Sequence, residues 1–124
     1  MPSNYAIDTN SDYPSFNDKE MQAVEWIITY KEDGSEIYTD NNGRLLFFEF
    51  FTKEDNIIRV FWAETEKIKD NSYLYFRTIN IKGKIISIRA RVRMKLENSK
   101  INKVINNMNK IYDNGGSELR LKTK

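Results

Sequence analysis

A chain of 124 residues that is 40% hydrophobic and 13% aromatic has enough apolar material for one compact domain, and that aromatic content excludes intrinsic disorder. The formal net charge of +2 provides no global field for nucleic acid, so any functional charge must be local. With no cysteine and no histidine, disulfides, Cys-based metal centres and the Ser-His-Asp and Cys-His mechanisms are excluded, which leaves carboxylate chemistry and no expected cofactor or metal.

Residues 1–15 lack periodicity and read as an extended lead-in to a single α/β domain over 16–124. They also lack the basic and apolar regions of a signal peptide. The run "SFNDKEMQAVEWIITYKEDG" is the clearest helix. Asn17 and Glu20 have capping-box spacing, and Met21, Val24, Ile27 and Ile28 form an apolar stripe flanked by Trp26 and Tyr30. Gly34 is placed for the C′ position.

"SEIYTD" is a short strand, and the residues after it allow two readings. If Asn41-Asn42-Gly43 is a hairpin turn, "RLLFFEFF" is a strand. If it is a strand-to-helix loop, "GRLLFFEFFTKED" is a mostly buried helix packing back on the sheet, and the lack of alternation favours the helix. "RLLFFEFF" is far short of the roughly 20 residues a membrane span needs, so the chain reads as soluble, compatible with a domain of a larger membrane protein.

"NIIRVFWAE" predicts a strand with Ile58, Val60 and Trp62 on one face, followed by the connector "TEKIKDN". "SYLYFRTINI" is β-branched and aromatic on both faces, which places it centrally in a sheet. "KIISIRARVRMKLE" alternates at period two. It predicts one strand with Ile86, Ile88, Ala90, Val92 and Met94 inward and Ser87, Arg89, Arg91, Arg93 and Lys95 outward. Ile101, Val104, Ile105 and Met108 then mark an amphipathic helix. The chain closes on two short strands joined by "DNGG", with Gly115 and Gly116 expected to supply positive φ and the last strand expected to add to a sheet edge. The fold class is therefore an α/β sandwich: a mixed sheet covered by two to three amphipathic helices, ending in a strand pair.

Two groups are candidate sites. Asp40, Asn41, Asn42, Gly43 and Arg44 lie where a strand hands over to a helix, a position that often binds ligands or anions; ordinary turn chemistry explains the same residues. On a single strand face Arg89, Arg91, Arg93 and Lys95 would stand about 7 Å apart and repel one another unless anions or carboxylates answer them. Phosphates of RNA or lipid are one answer; a solvated edge strand with Glu64 or Glu66 as partners is the other. The glycine-aromatic pattern of an RNA-recognition strand is absent, which speaks against nucleic acid. Asp40 and Asp113 both close strand-like runs and form a carboxylate pair only if their strands are neighbours.

Taken together, "FNDKEMQAVEWIITYKEDGSEIYTDNNGRLL", "SYLYFRTINI" and "NKIYDNGGSELRL" resemble the soluble C-terminal region of archaeal multi-pass membrane proteins of the glycosyltransferase-C-like type, the class of protein-mannosyl and oligosaccharyl transferases. The matching islands are Glu25-Trp26, Ile37 to Asp40, Tyr73 to Asn80 and Asn109 to Leu119. The chain departs at Leu119-Arg120, where the pattern carries Ile-Tyr, and the basic run Arg89 to Lys95 matches no part of it. The resemblance implies a non-catalytic accessory domain outside the cytoplasmic membrane, tethered to the transmembrane part of its parent chain, which carries the catalytic carboxylate. Docking of an acceptor, or contact with anionic lipid or a lipid-linked saccharide through the basic strand, would follow. The alternative is a free-standing adaptor- or immunity-type module binding a protein or anionic partner, and a third reading is a small carboxylate enzyme built on Asp40.

Overall fold

The computed structural model describes residues 5–7, 16–50, 57–61, 65, 67–89 and 92–123. The elements in chain order are β1 (Tyr5–Ile7), α1 (Asp18–Tyr30), β2 (Ile37–Thr39), α2 (Asn41–Phe50), β3 (Ile58–Val60), β4 (Tyr73–Phe76), α3 (Thr78–Ile81), β5 (Ile85–Arg89), β6 (Val92–Lys95), α4 (Ile101–Ile105), β7 (Asn109–Asp113) and β8 (Glu118–Leu121). Trp62, Glu64, Glu66, Ala90 and Arg91, all named among the sequence-based expectations, lie outside the described residues.

A five-stranded mixed sheet in the order β3-β2-β4-β8-β7 forms the centre. β2 runs parallel to β3 and β4, while β8 runs antiparallel to both β4 and β7. A smaller antiparallel sheet, β1-β6-β5, lies beside it. The α/β class is as expected, and the apolar run "YLYF" takes the central position its composition implied.

Alternation along β4 divides the interior in two, because successive side chains leave opposite faces. Tyr73 and Tyr75 join Ala23, Val24 and Ile27 of α1 and Leu46 and Phe47 of α2. Leu74 and Phe76 join Ile86, Ile88 and Met94 of the small sheet and Ile101, Val104 and Ile105 of α4. Helices thus cover one face of the central sheet, and the small sheet with α4 covers the other. Phe47 meets Tyr75 edge-on, centroids 5.2 Å apart, a contact that contributes about 0.5–1.5 kcal/mol beyond its burial.

Local details follow the residue chemistry, with four corrections. The capping box is present: Glu20 N donates to Asn17 Oδ1 at 2.9 Å and Asn17 N donates to Glu20 Oε1 at 3.0 Å. However, α1 ends at Tyr30, and Gly34 takes its positive φ of 82° in the turn Glu32–Ser35 rather than as the helix C′ residue. The strand expected over "SYLYFRTINI" stops at Phe76. Asn80 Oδ1 accepts from the Arg77 amide, and "TINI" winds into α3.

"IISIRARVRMK" is not one strand. It folds back as the hairpin β5–β6, with Ile86 opposite Met94 and Ser87 opposite Arg93. Period two holds within each arm, so Ile86, Ile88 and Met94 still reach the core, but the basic run is divided between strands.

The last correction concerns the chain's end. β8 does not add to an edge; it is threaded between β4 and β7, and β7 is the edge. Its turn is docked on α1: Asn114 Nδ2 and Ser117 Oγ donate to the Lys19 carbonyl at 2.7 and 2.8 Å. Of the two glycines in this turn, only Gly115 has positive φ, at 85°. Gly116 is required for space, since a Cβ there would stand 2.8 Å from Lys19 Cβ and 2.7 Å from Lys19 Cδ. Gly116→Ala must displace the start of α1 and is expected to destabilise by about 1–3 kcal/mol in urea denaturation. An unchanged midpoint would show that α1 and the turn are not in contact.

Candidate functional site

Asp40 follows β2 directly and is wholly excluded from solvent. Five donors converge on its carboxylate. Oδ1 accepts from Gly43 N at 2.8 Å and Arg77 Nε at 3.1 Å. Oδ2 accepts from Arg77 Nη2 at 2.9 Å, Asn80 Nδ2 at 3.0 Å and Ser87 N at 3.0 Å. A carboxylate offers about four lone-pair positions, so this one is saturated. Burial alone would push the Asp40 carboxyl up. The adjacent Arg77 guanidinium, with its hydrogen bonds and those of Ser87 N and Asn80, overcomes burial and holds the carboxyl below its ordinary value.

The partners come from four parts of the fold, with Gly43 on α2. Arg77 follows β4, Asn80 lies on α3 and Ser87 on β5. Asn80 Nδ2 also donates to Ile85 O at 2.8 Å, and the Asn42 amide of α2 donates to Ser87 Oγ at 2.8 Å. A second buried acid adds to the network, as Glu20 Oε2 accepts from Thr78 N at 2.9 Å while its backbone carbonyl accepts from Tyr75 OH at 3.0 Å. Burial and the neighbouring Glu20 charge push the Tyr75 phenol strongly up, so Tyr75 acts there only as a neutral donor.

The loop residues singled out from sequence are therefore internal parts of a joint. The amides of Asn42, Gly43 and Arg44 donate to Ser87 Oγ, Asp40 Oδ1 and Asp40 O. Gly43 is needed for close approach, because a Cβ would overlap the Thr39 hydroxyl and reach within 3.0 Å of Asp40 Oδ1. Asn41 is half-buried, and Arg44 lies over the Phe48 ring at 5.1 Å.

Of the basic run, Arg89 ends β5, Arg93 and Lys95 lie on β6, and Arg91 is outside the described residues. Asp40 and Asp113 do not meet. β4 and β8 separate their strands, a distance of about 14 Å at ordinary strand spacing. Asp113 is exposed; Gly115 N and Lys110 hold its carboxyl below the usual range.

Arg77, Asn80 and Ser87 were missed by sequence reasoning. A signal was there: an acid at the end of a buried strand requires a cation, and Arg77 is the first charge after the most apolar strand.

The fold and this joint define a single-domain mixed α/β sandwich whose central polar cluster ties strands to helices and leaves its carboxylate no free lone pair. A family model described as "Predicted membrane protein (DUF2206)" matches residues 1–119, and the chain belongs to that family. Among curated proteins and among solved structures nothing matches. Among the described residues, no helix is long and apolar enough to cross a membrane.

Proposed function

We propose that this chain is a non-catalytic accessory domain of a membrane-embedded, glycosyltransferase-like protein, held on the extracytoplasmic side beside the transmembrane part of its parent. The observation that supports the reading most is a pairing: membership in a family of predicted membrane proteins, and no membrane-length apolar helix among the described residues. Such a segment would serve its family at the water-facing side. The saturated Asp40 carboxylate adds support, since a general acid or base needs an accessible lone pair or proton. The archaeal glycosyltransferase-C-like assignment rests on the resemblance of the four islands Glu25-Trp26, Ile37 to Asp40, Tyr73 to Asn80 and Asn109 to Leu119. Acceptor docking, or contact with anionic lipid or a lipid-linked saccharide, belongs to the same reading.

Membrane topology tests it. Protease added to intact spheroplasts making the parent protein is expected to destroy the antigen recognised by antibodies against residues 16–123. Sealed inverted vesicles should protect that antigen. Protection in spheroplasts, or recovery of the antigen in the membrane-free fraction, would instead favour a free-standing interaction module. Glycosyl transfer by the isolated chain would remove the accessory role.

A further inference from the structure

We propose that the cleft bounded by Lys67, Lys103 and Lys122 binds a phosphate-bearing group. The three lysines come from separate segments: the connector before β4, helix α4 and the tail after β8. They converge on one cleft of about 570 Å³ whose apolar wall includes Ile68 and Val104, both buried.

Three ammonium groups around one concavity repel one another, and among the described residues they are answered by a single carboxylate, Asp70, which is 3.1 Å from Lys122 Nζ. No carboxylate among the described residues pairs with Lys67 or Lys103. Two other lysines have carboxylate partners: Lys69 reaches Glu36 at 3.0 Å, and Lys110 reaches Asp113 at 3.2 Å and Glu118 at 3.4 Å. Uncompensated positive charge over a low-dielectric wall focuses potential into the cleft and favours a multiply charged anion. Lysine recognises phosphate as a point charge, which suits a site assembled from flexible side chains. The cleft sits at the end of the sheet opposite Asp40, where β4 begins and β8 ends, so occupying it would not disturb the Asp40–Arg77 joint.

The phosphate could be carried by a lipid headgroup or by a soluble diphosphate, and two arms separate them. In the first, inorganic pyrophosphate is titrated into the isotopically labelled chain and amide shifts are followed. Saturable shifts at Ile68, Lys103 to Asn107 and Lys122 are expected, weakening as salt rises. In the second, sedimentation is compared with vesicles of phosphatidic acid in phosphatidylcholine and of phosphatidylcholine alone. Binding in either arm supports the site and identifies the carrier. Lys67→Ser combined with Lys103→Ser should weaken that binding about tenfold or more while leaving the melting temperature unchanged. Absence of binding in both arms, or binding indifferent to the two substitutions, would overturn the proposal. These readouts use the chain alone, so they are independent of the topology result.

Discussion

Arg77→Met should destabilise the domain by about 3–5 kcal/mol, the range for breaking a buried ion pair by removing one partner. The Asp40 carboxylate has no exposure to water, and without the guanidinium it keeps only the hydrogen bonds from Gly43 N, Asn80 Nδ2 and Ser87 N. Those dipoles do not replace a full opposite charge. Domains of this kind are stable by only about 5–15 kcal/mol in total, so the loss is a large fraction. Asp40→Asn should also destabilise, since an amide nitrogen would replace one acceptor oxygen among five donors. The double variant Asp40→Asn, Arg77→Met should cost less than the sum of the two single changes. Urea denaturation followed by far-UV circular dichroism reads all three; a loss below about 1 kcal/mol for Arg77→Met would show that the pair does not hold the joint.

The same pair fixes a pH dependence. Asp40 binds its proton less tightly in the folded chain than in the unfolded one, where a carboxyl of this type titrates near about 3.9. Its contribution is therefore full above that value and is lost as pH falls through the lower folded value. Wild-type stability should drop across that acid range, and Asp40→Asn should flatten that part of the profile.

What was legible in the sequence and what was not divide along one physical line. Features set by neighbours in the chain could be read: the Asn17–Glu20 capping box, a helix after the "YTD" strand, although it begins at Asn41 and not at Gly43, a helix at Ile101, Val104 and Ile105, although it ends before Met108, and the strand pair around "DNGG". Features set by a distant partner could not. Period two in "IISIRARVRMK" is the same whether the run continues or folds back, because a hairpin preserves alternation within each arm. Nor does composition say whether β8 ends a sheet or is inserted into it. The Asp40 joint falls on the same side of the line, since apart from Gly43 its partners are 37 to 47 residues away. Its residue types are those of any turn, and only the fold turns them into a cluster.

Ending the chain at Gly116, so that β8 is lost, should abolish cooperative folding. β8 pairs with β4 on one side and β7 on the other, and its Leu119 is fully buried, in register with Tyr75 and Tyr112. The chain beyond β8 is also tied in: Lys122 N donates to Ser72 O at 2.9 Å, and Asn71 N donates to Lys122 O. Without β8 the central strand becomes an unpaired apolar edge, a template for aggregation, and β7 has no neighbour in the sheet. The truncated chain should collect in the insoluble fraction, and any soluble remainder should bind a hydrophobic dye and melt without a sigmoidal transition. Leu119→Ala supplies the graded control. It keeps the backbone ladder and deletes only buried methyl groups, so a cooperative transition should survive with about 2–5 kcal/mol less stability. A truncated chain that still melted cooperatively, within about 2 kcal/mol of the full-length chain, would mean that β4 does not need its C-terminal neighbour and that the docked Gly-Gly turn is incidental to the fold.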